Sequence, residues 1–230
     1  MAEEQLVLDE AFTRRDEILQ YLDAEIAVPA GDTTGHARLR MMANRREELR
    51  RADRGLIFGR LDALDRTVLR VGRVGVPSAG DDSDPLVIDW RAPAARPFYT
   101  ATPVDPQGQG RRRHIRVDGR EVTGVDDEPL DGSGAGELVG EGALLAALGE
   151  RRTGRMGTAA ATLQREQDEV VRADSRGPLV VQGGPGTGKT VVALHRVAYL
   201  LFTYPQLAAQ GVLVLGPSLR GELRIGEEQV

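Results

Sequence analysis

Apolar residues recur at threes, fours and sevens near the start of the chain: Leu8, Ala11, Phe12, Ile18, Leu19, Leu22 and Ile26, with a polar gap over 13–17. That spacing gathers them on one face and predicts a helix over residues 4–28. Pro29, Ala30, Gly31 and Asp32 break it. A second, more polar helix is predicted from about 34 to 53, with Leu39, Met42, Arg46 and Leu49 along one side and Gly55 as its C-cap. Two amphipathic helices about a tight break predict an antiparallel hairpin. Each apolar stripe is narrow, so the hairpin either projects toward a partner or packs as an ordinary pair on the body. The pattern leaves both open.

From 56 to about 120 the texture changes. Short apolar runs (Leu56-Ile57-Phe58, Thr67-Val68-Leu69, Leu86-Val87-Ile88) alternate with Gly, Pro and Asp turns, which predicts a small β-rich unit. Residues 124–141 are acidic and glycine-rich and read as loop or linker. Helical patterns return at 144–148 and 162–173. Leu179, Val180 and Val181 form a short strand-like run before a glycine-rich stretch. A helix follows from Thr190, with Val191, Leu194, Val197, Ala198 and Leu201 on one face. Residues 211–215 read as a second short buried strand.

Composition adds exclusions more than identity. Of 230 residues, 40% are hydrophobic and only 4% aromatic, so the core must rest on Leu, Val, Ile and Ala. A net charge of −5 argues against bulk attraction to nucleic acid, though not against a local basic groove. The chain has no cysteine, hence no disulfide or thiolate metal site. His36, His114 and His195 lie too far apart in sequence for a metal motif. The acidic opening is unlike a signal peptide, and no apolar run reaches membrane length, so a cytoplasmic protein is expected.

The chemistry lies in the glycine-rich stretch. Gly183-Gly184-Pro185-Gly186-Thr187-Gly188-Lys189-Thr190 fits the Walker A pattern in full. Glycines let the backbone curl so that several N–H groups face one anionic group. The helix that follows adds its positive end. Gly184, Gly186, Thr187 and Gly188 are the expected cradle for ATP. Lys189 would bridge the β- and γ-phosphates, and the Thr190 hydroxyl would ligate Mg²⁺. With the flanking elements, helix–strand–loop–helix–strand is the opening of a RecA-like parallel α/β sheet.

Other clusters carry two readings each. Asp89-Trp90-Arg91 is a binding surface or a structural ion pair beside a core indole, and structure is favoured. Arg111-Arg112-Arg113-His114 would touch nucleic-acid phosphate or be solvated turn charge. Arg196, beside His195, is expected to brace the fold rather than contact nucleotide. Asp32 is the sole acid at the hairpin tip, with Asp23 and Glu25 further back, too few for metal chemistry there. The hydrophobic-then-acidic run at 122–128 reads as a loop rather than a Walker B strand.

Gln167, upstream of the loop, resembles the Q motif of UvrD-type superfamily 1 helicases, and GKTVVALHRVAYLL resembles their motif I helix. GLIFGRLDAL (55–64), VIDWRAPAARPFYTAT (87–102) and RRRHIRVDGR (111–120) narrow the likeness further. Together they resemble the HelD-like ATPases associated with RNA polymerase, in their actinobacterial form. The resemblance implies a hairpin at 1–54 that enters the secondary channel of the polymerase, and a β-rich N-terminal unit at 55–125. A linker at 126–140 and an incomplete first RecA-like domain at 141–230 would follow. It also implies that Gln167 reads adenine and that ATP serves to recycle the factor. DNA would be engaged indirectly, through the polymerase.

The sequence departs from that pattern in three places. No Walker B candidate follows the loop and no second RecA-like domain is present, so turnover is not expected. The tail after Pro217 and the stretch 156–164 also differ from the family pattern. Two alternatives stand beside this reading: a polymerase-interaction module with a vestigial loop, and a fragment of an AAA+-type ATPase, where GPGTGKT is also common. The apolar face of the post-loop helix would find little to pack on, so residues from about 141 are expected to be marginally stable. The sequence leaves the oligomeric state open.

Overall fold

The computed structural model describes residues 1–29, 31–79, 84–131, 165–215 and 223–225. Expectations for 144–148 and 156–164, and for most of the tail beyond 217, lie outside the described residues. The chain divides into two compact units, Met1–Thr162 and Leu163–Val230.

In the first unit the hairpin forms as α1 (Ala2–Ile26) and α2 (Thr33–Arg51). The helices run antiparallel, as cross-pairs descending from the tip show: Arg38 with Glu25, then Arg46 and Arg50 with Asp23, then Arg15 with Asp53. The exposed pairs nearer the tip set register more than stability. Asp32 caps α2, its Oδ1 accepting the Gly35 N–H at 2.7 Å. The second helix ends two residues earlier than expected, with Ala52 at its C-cap. Gly55 lies beyond it at φ +80°, where it turns the chain into the sheet rather than capping the helix.

The packed reading of the hairpin holds over much of its length. At the root, Leu8, Ala11, Phe12, Leu22, Leu49 and Ala52 join one core with Leu56, Ile57, Val74, Val76, Val87, Ile115 and Val122. Toward the tip, Val28 and Met41 are exposed.

The β-rich unit is a six-stranded sheet ordered β3-β4-β2-β1-β5-β6. Its strands are β1 (Gly59–Ala63), β2 (Val68–Gly72), β3 (Val76–Pro77), β4 (Pro85–Asp89), β5 (Gln109–Asp118) and β6 (Glu121–Pro129). Among the described strands only β2 and β4 pair in parallel. A 3-10 turn at Pro93–Ala95 and the short α3 (Pro97–Thr100) bring Phe98 and Tyr99 into the core. Gly72 has no alternative: a Cβ there would sit 1.9 Å from the Leu56 carbonyl oxygen.

The acidic run 122–128 is not a loop, and residues 124–129 are not linker, because β6 continues to Pro129 against β5. Its acids read as a turn in isolation. In the sheet they face a row of arginines on the next strand, and that pairing holds them extended.

The second unit contains α4 (Arg165–Val171), α5 (Lys189–Thr203), α6 (Pro205–Gln210) and a two-stranded antiparallel ladder, β7 (Val212–Val214) with β8 (Leu223–Ile225). The molecule is mixed α/β, but the parallel sheet expected around the loop is absent among the described residues. Leu179, Val180 and Val181 belong to no ladder and stay exposed, Val180 at 79%. A strand exists only through a partner, and none of the described strands lies beside this run. The face expected on α5 is only half-buried at Val191, Leu194, Val197, Ala198 and Leu201, whereas Val192 and His195 are buried.

Candidate functional site

The glycine-rich loop curls where the sequence requires it. Gly186 and Gly188 adopt φ of +80° and +82°, a left-handed conformation that costs any L side chain roughly 1–2 kcal/mol. Gly188 is the N-cap of α5, and Val192 N–H closes the first helical turn onto its carbonyl at 2.9 Å. The N–H groups of Lys189, Thr190 and Val191 therefore have no acceptor within the helix. Gly183 is hemmed in as well, since a Cβ there would meet Thr187 Oγ1 at 2.7 Å.

The loop closes on its own side chains. The Thr187 hydroxyl donates to the Gly184 carbonyl at 2.9 Å. The Lys189 ammonium donates to the carbonyls of Gly183 at 2.7 Å and Gly184 at 2.6 Å. Thr190 follows, exposed, at the second position of α5. Left-handed glycines, unshared helix N–H groups and a gathered ammonium fit a polyphosphate. Among the described residues no group of three or more His, Asp or Glu comes together as a metal cluster. Mg²⁺ would thus rely on the Thr190 hydroxyl and the phosphate oxygens.

Gln167, far upstream in sequence, lies on α4 beside this loop. A Cβ built on Gly188 would stand 3.4 Å from Gln167 Nε2. The fold therefore brings the amide expected to read a base against the last glycine of the glycine-rich loop. Asp168, one residue on, is fully buried and holds Arg172 at 2.8 Å. Neither was singled out from sequence, though their i, i+4 spacing on a helix was a usable signal.

The other clusters turn out to be structural. Arg112 pairs with Glu128, Arg113 with Asp127 and the buried Glu4, and Arg111 with Asp62 and Asp127. These arginines are neither turn charges nor a free phosphate-binding patch; they bind β5 to β6, β1 and the start of α1. His114 packs against Phe98, ring centroids 5.0 Å apart, and burial together with the Arg112 charge lowers its pKa to about 4. Asp89 accepts the Arg91 backbone N–H and its guanidinium, while Trp90 is buried edge-on to Tyr99. His195 Nδ1 lies 2.8 Å from the Val191 carbonyl oxygen, within its own helix.

The family described as DNA helicase IV HelD, N-terminal domain, matches residues 1–143, more than half of the chain. The chain belongs to the HelD family. Within this HelD-family chain, residues 163–215 match the UvrD/REP helicase N-terminal domain, the stretch that carries α4, the glycine loop and α5. It is thus a helicase-family protein. A search of curated proteins returned no match. Among the described residues no helix is long and apolar enough to cross a membrane.

Proposed function

We propose that this chain binds ATP with Mg²⁺ through the loop at 183–190 and Gln167, and engages bacterial RNA polymerase through its helical hairpin. The observation that carries the nucleotide half is the approach of the Gln167 amide to Gly188. An amide offers one donor and one acceptor, the complement of the adenine edge. The loop offers backbone N–H groups and the Lys189 ammonium to the phosphates. The polymerase half draws on family membership and on the hairpin's shape, with a packed root and an exposed tip. The proposal includes neither catalytic turnover nor direct DNA contact.

A second reading, an interaction module with a vestigial loop, has an observation in its favour. Lys189 is bonded to the loop's own carbonyls, and the run before the loop is exposed. Titration with a fluorescent ATP analogue and Mg²⁺ separates the two, with capture of RNA polymerase assayed in parallel. Saturable binding that Lys189→Ala weakens by at least roughly tenfold supports the nucleotide reading, as loss of a charge-assisted contact implies. Polymerase capture without any analogue binding favours the interaction module.

A further inference from the structure

Arg196 projects from α5 onto the C-terminal end of α4. Its Nη1 donates to the carbonyls of Val170 at 3.0 Å, Val171 at 3.3 Å and Ala173 at 2.8 Å, and its Nη2 to that of Asp174 at 3.0 Å. The last carbonyls of a helix have no partner within it, and they form its negative end. One planar guanidinium satisfies several of them at once, which an ammonium on a flexible stem does not. A second strut runs alongside. Arg172, held by Asp168, lies over the Tyr199 ring of α5 at 5.3 Å.

The two contacts join elements with different tasks. Helix α4 carries Gln167, whereas α5 begins at Lys189, directly after the phosphate loop. The offset between the base-reading amide and the phosphate cradle is therefore fixed by how α4 sits on α5. A base is read by two hydrogen bonds with tight distance limits, so a small slip of α4 would cost base selection before phosphate binding. We propose that Arg196 is a positioning residue for nucleotide selection, locking the Gln167 helix to the phosphate-loop helix without touching the nucleotide. This rests on the nucleotide reading above.

The test measures competition by ATP, GTP and inorganic tripolyphosphate against a fluorescent ATP analogue, with Mg²⁺ present. Wild-type protein should prefer ATP to GTP. In Arg196→Met that preference should fall roughly tenfold, the effect of one lost base contact, while tripolyphosphate affinity holds within about twofold. In a Gln167→Ala background, Arg196→Met should change the ratio no further, because the residue it positions is gone. Should the Met variant fail to fold, Arg196→Lys takes its place, and the ratio should fall in the same direction. An unchanged ATP/GTP ratio overturns the proposal, as does parallel weakening of all three ligands, which a merely structural brace would give. If wild-type protein binds tripolyphosphate without base preference, the Gln167 assignment fails and takes this proposal with it. If it binds no ligand, the nucleotide reading itself fails.

Discussion

At the scale of single residues, environment decides which charges are available. Arg111, Arg112 and Arg113 look alike in sequence, yet each is committed to carboxylates by the strand it lies on. The Arg113 guanidinium in turn holds the Asp127 carboxyl below its usual range. His114, next along the strand, is kept neutral by burial. The unfolded chain protonates this imidazole below about pH 6.5, whereas the folded chain does so only near 4. The unfolded state thus binds more protons over that window. His114's contribution is complete above about 6.5 and is lost as pH falls toward 4. Urea melts at pH 7 and pH 4.5 should show the native protein losing on the order of 1–3 kcal/mol more stability than His114→Gln. Equal losses in the two proteins would refute the assignment.

At the scale of elements, the hairpin is built from two different economies. Its root is held by side-chain burial in a shared core, and its tip by a cap and surface ion pairs. Asp32 lies in the turn at the tip, its carboxylate occupied by the first turn of α2. Asp32→Ala should cost about 1 kcal/mol, as N-cap removals do. The cost should be local. Amide exchange is expected to quicken over the first turn of α2 and to stay unchanged around the buried Leu49; uniform quickening along the helix would contradict the division into root and tip. Strand β6 makes the complementary point. Its acids suit a turn by propensity, and their cross-strand arginines override that preference.

At the scale of the whole molecule, the two units differ in how much apolar surface they cover. The first buries Phe12, Phe98, Leu8, Leu49, Leu56, Ile57 and Leu61 almost completely. The second leaves Leu179, Val180, Val181, Phe202, Leu213 and Leu215 exposed. Each large apolar side chain left in water forgoes roughly 1.5–3 kcal/mol, against a typical domain stability of about 5–15 kcal/mol. Trp90, the sole tryptophan, is buried in the first unit and reports on it alone. In a urea titration, part of the helical circular dichroism should be lost before Trp90 emission shifts. Coincident transitions would mean that the two units unfold together.

The sequence by itself determined whatever is written in contiguous residues. The hairpin followed from apolar spacing and a Pro-Gly break, the β-rich unit from short runs between turns, and the curl of the glycine-rich loop from glycines at positive φ. These are local constraints, and a local pattern carries them whole. The tertiary structure decided whatever depends on partners distant in sequence. It turned an acidic loop into a strand by setting arginines opposite it, and a basic cluster into a clamp by the same pairing. Among the described residues it left the run before the loop without a ladder, because a strand needs a neighbour that its own sequence does not encode. It also brought Gln167 to Gly188 and Arg196 to the end of α4, contacts set by the packing of one helix on another.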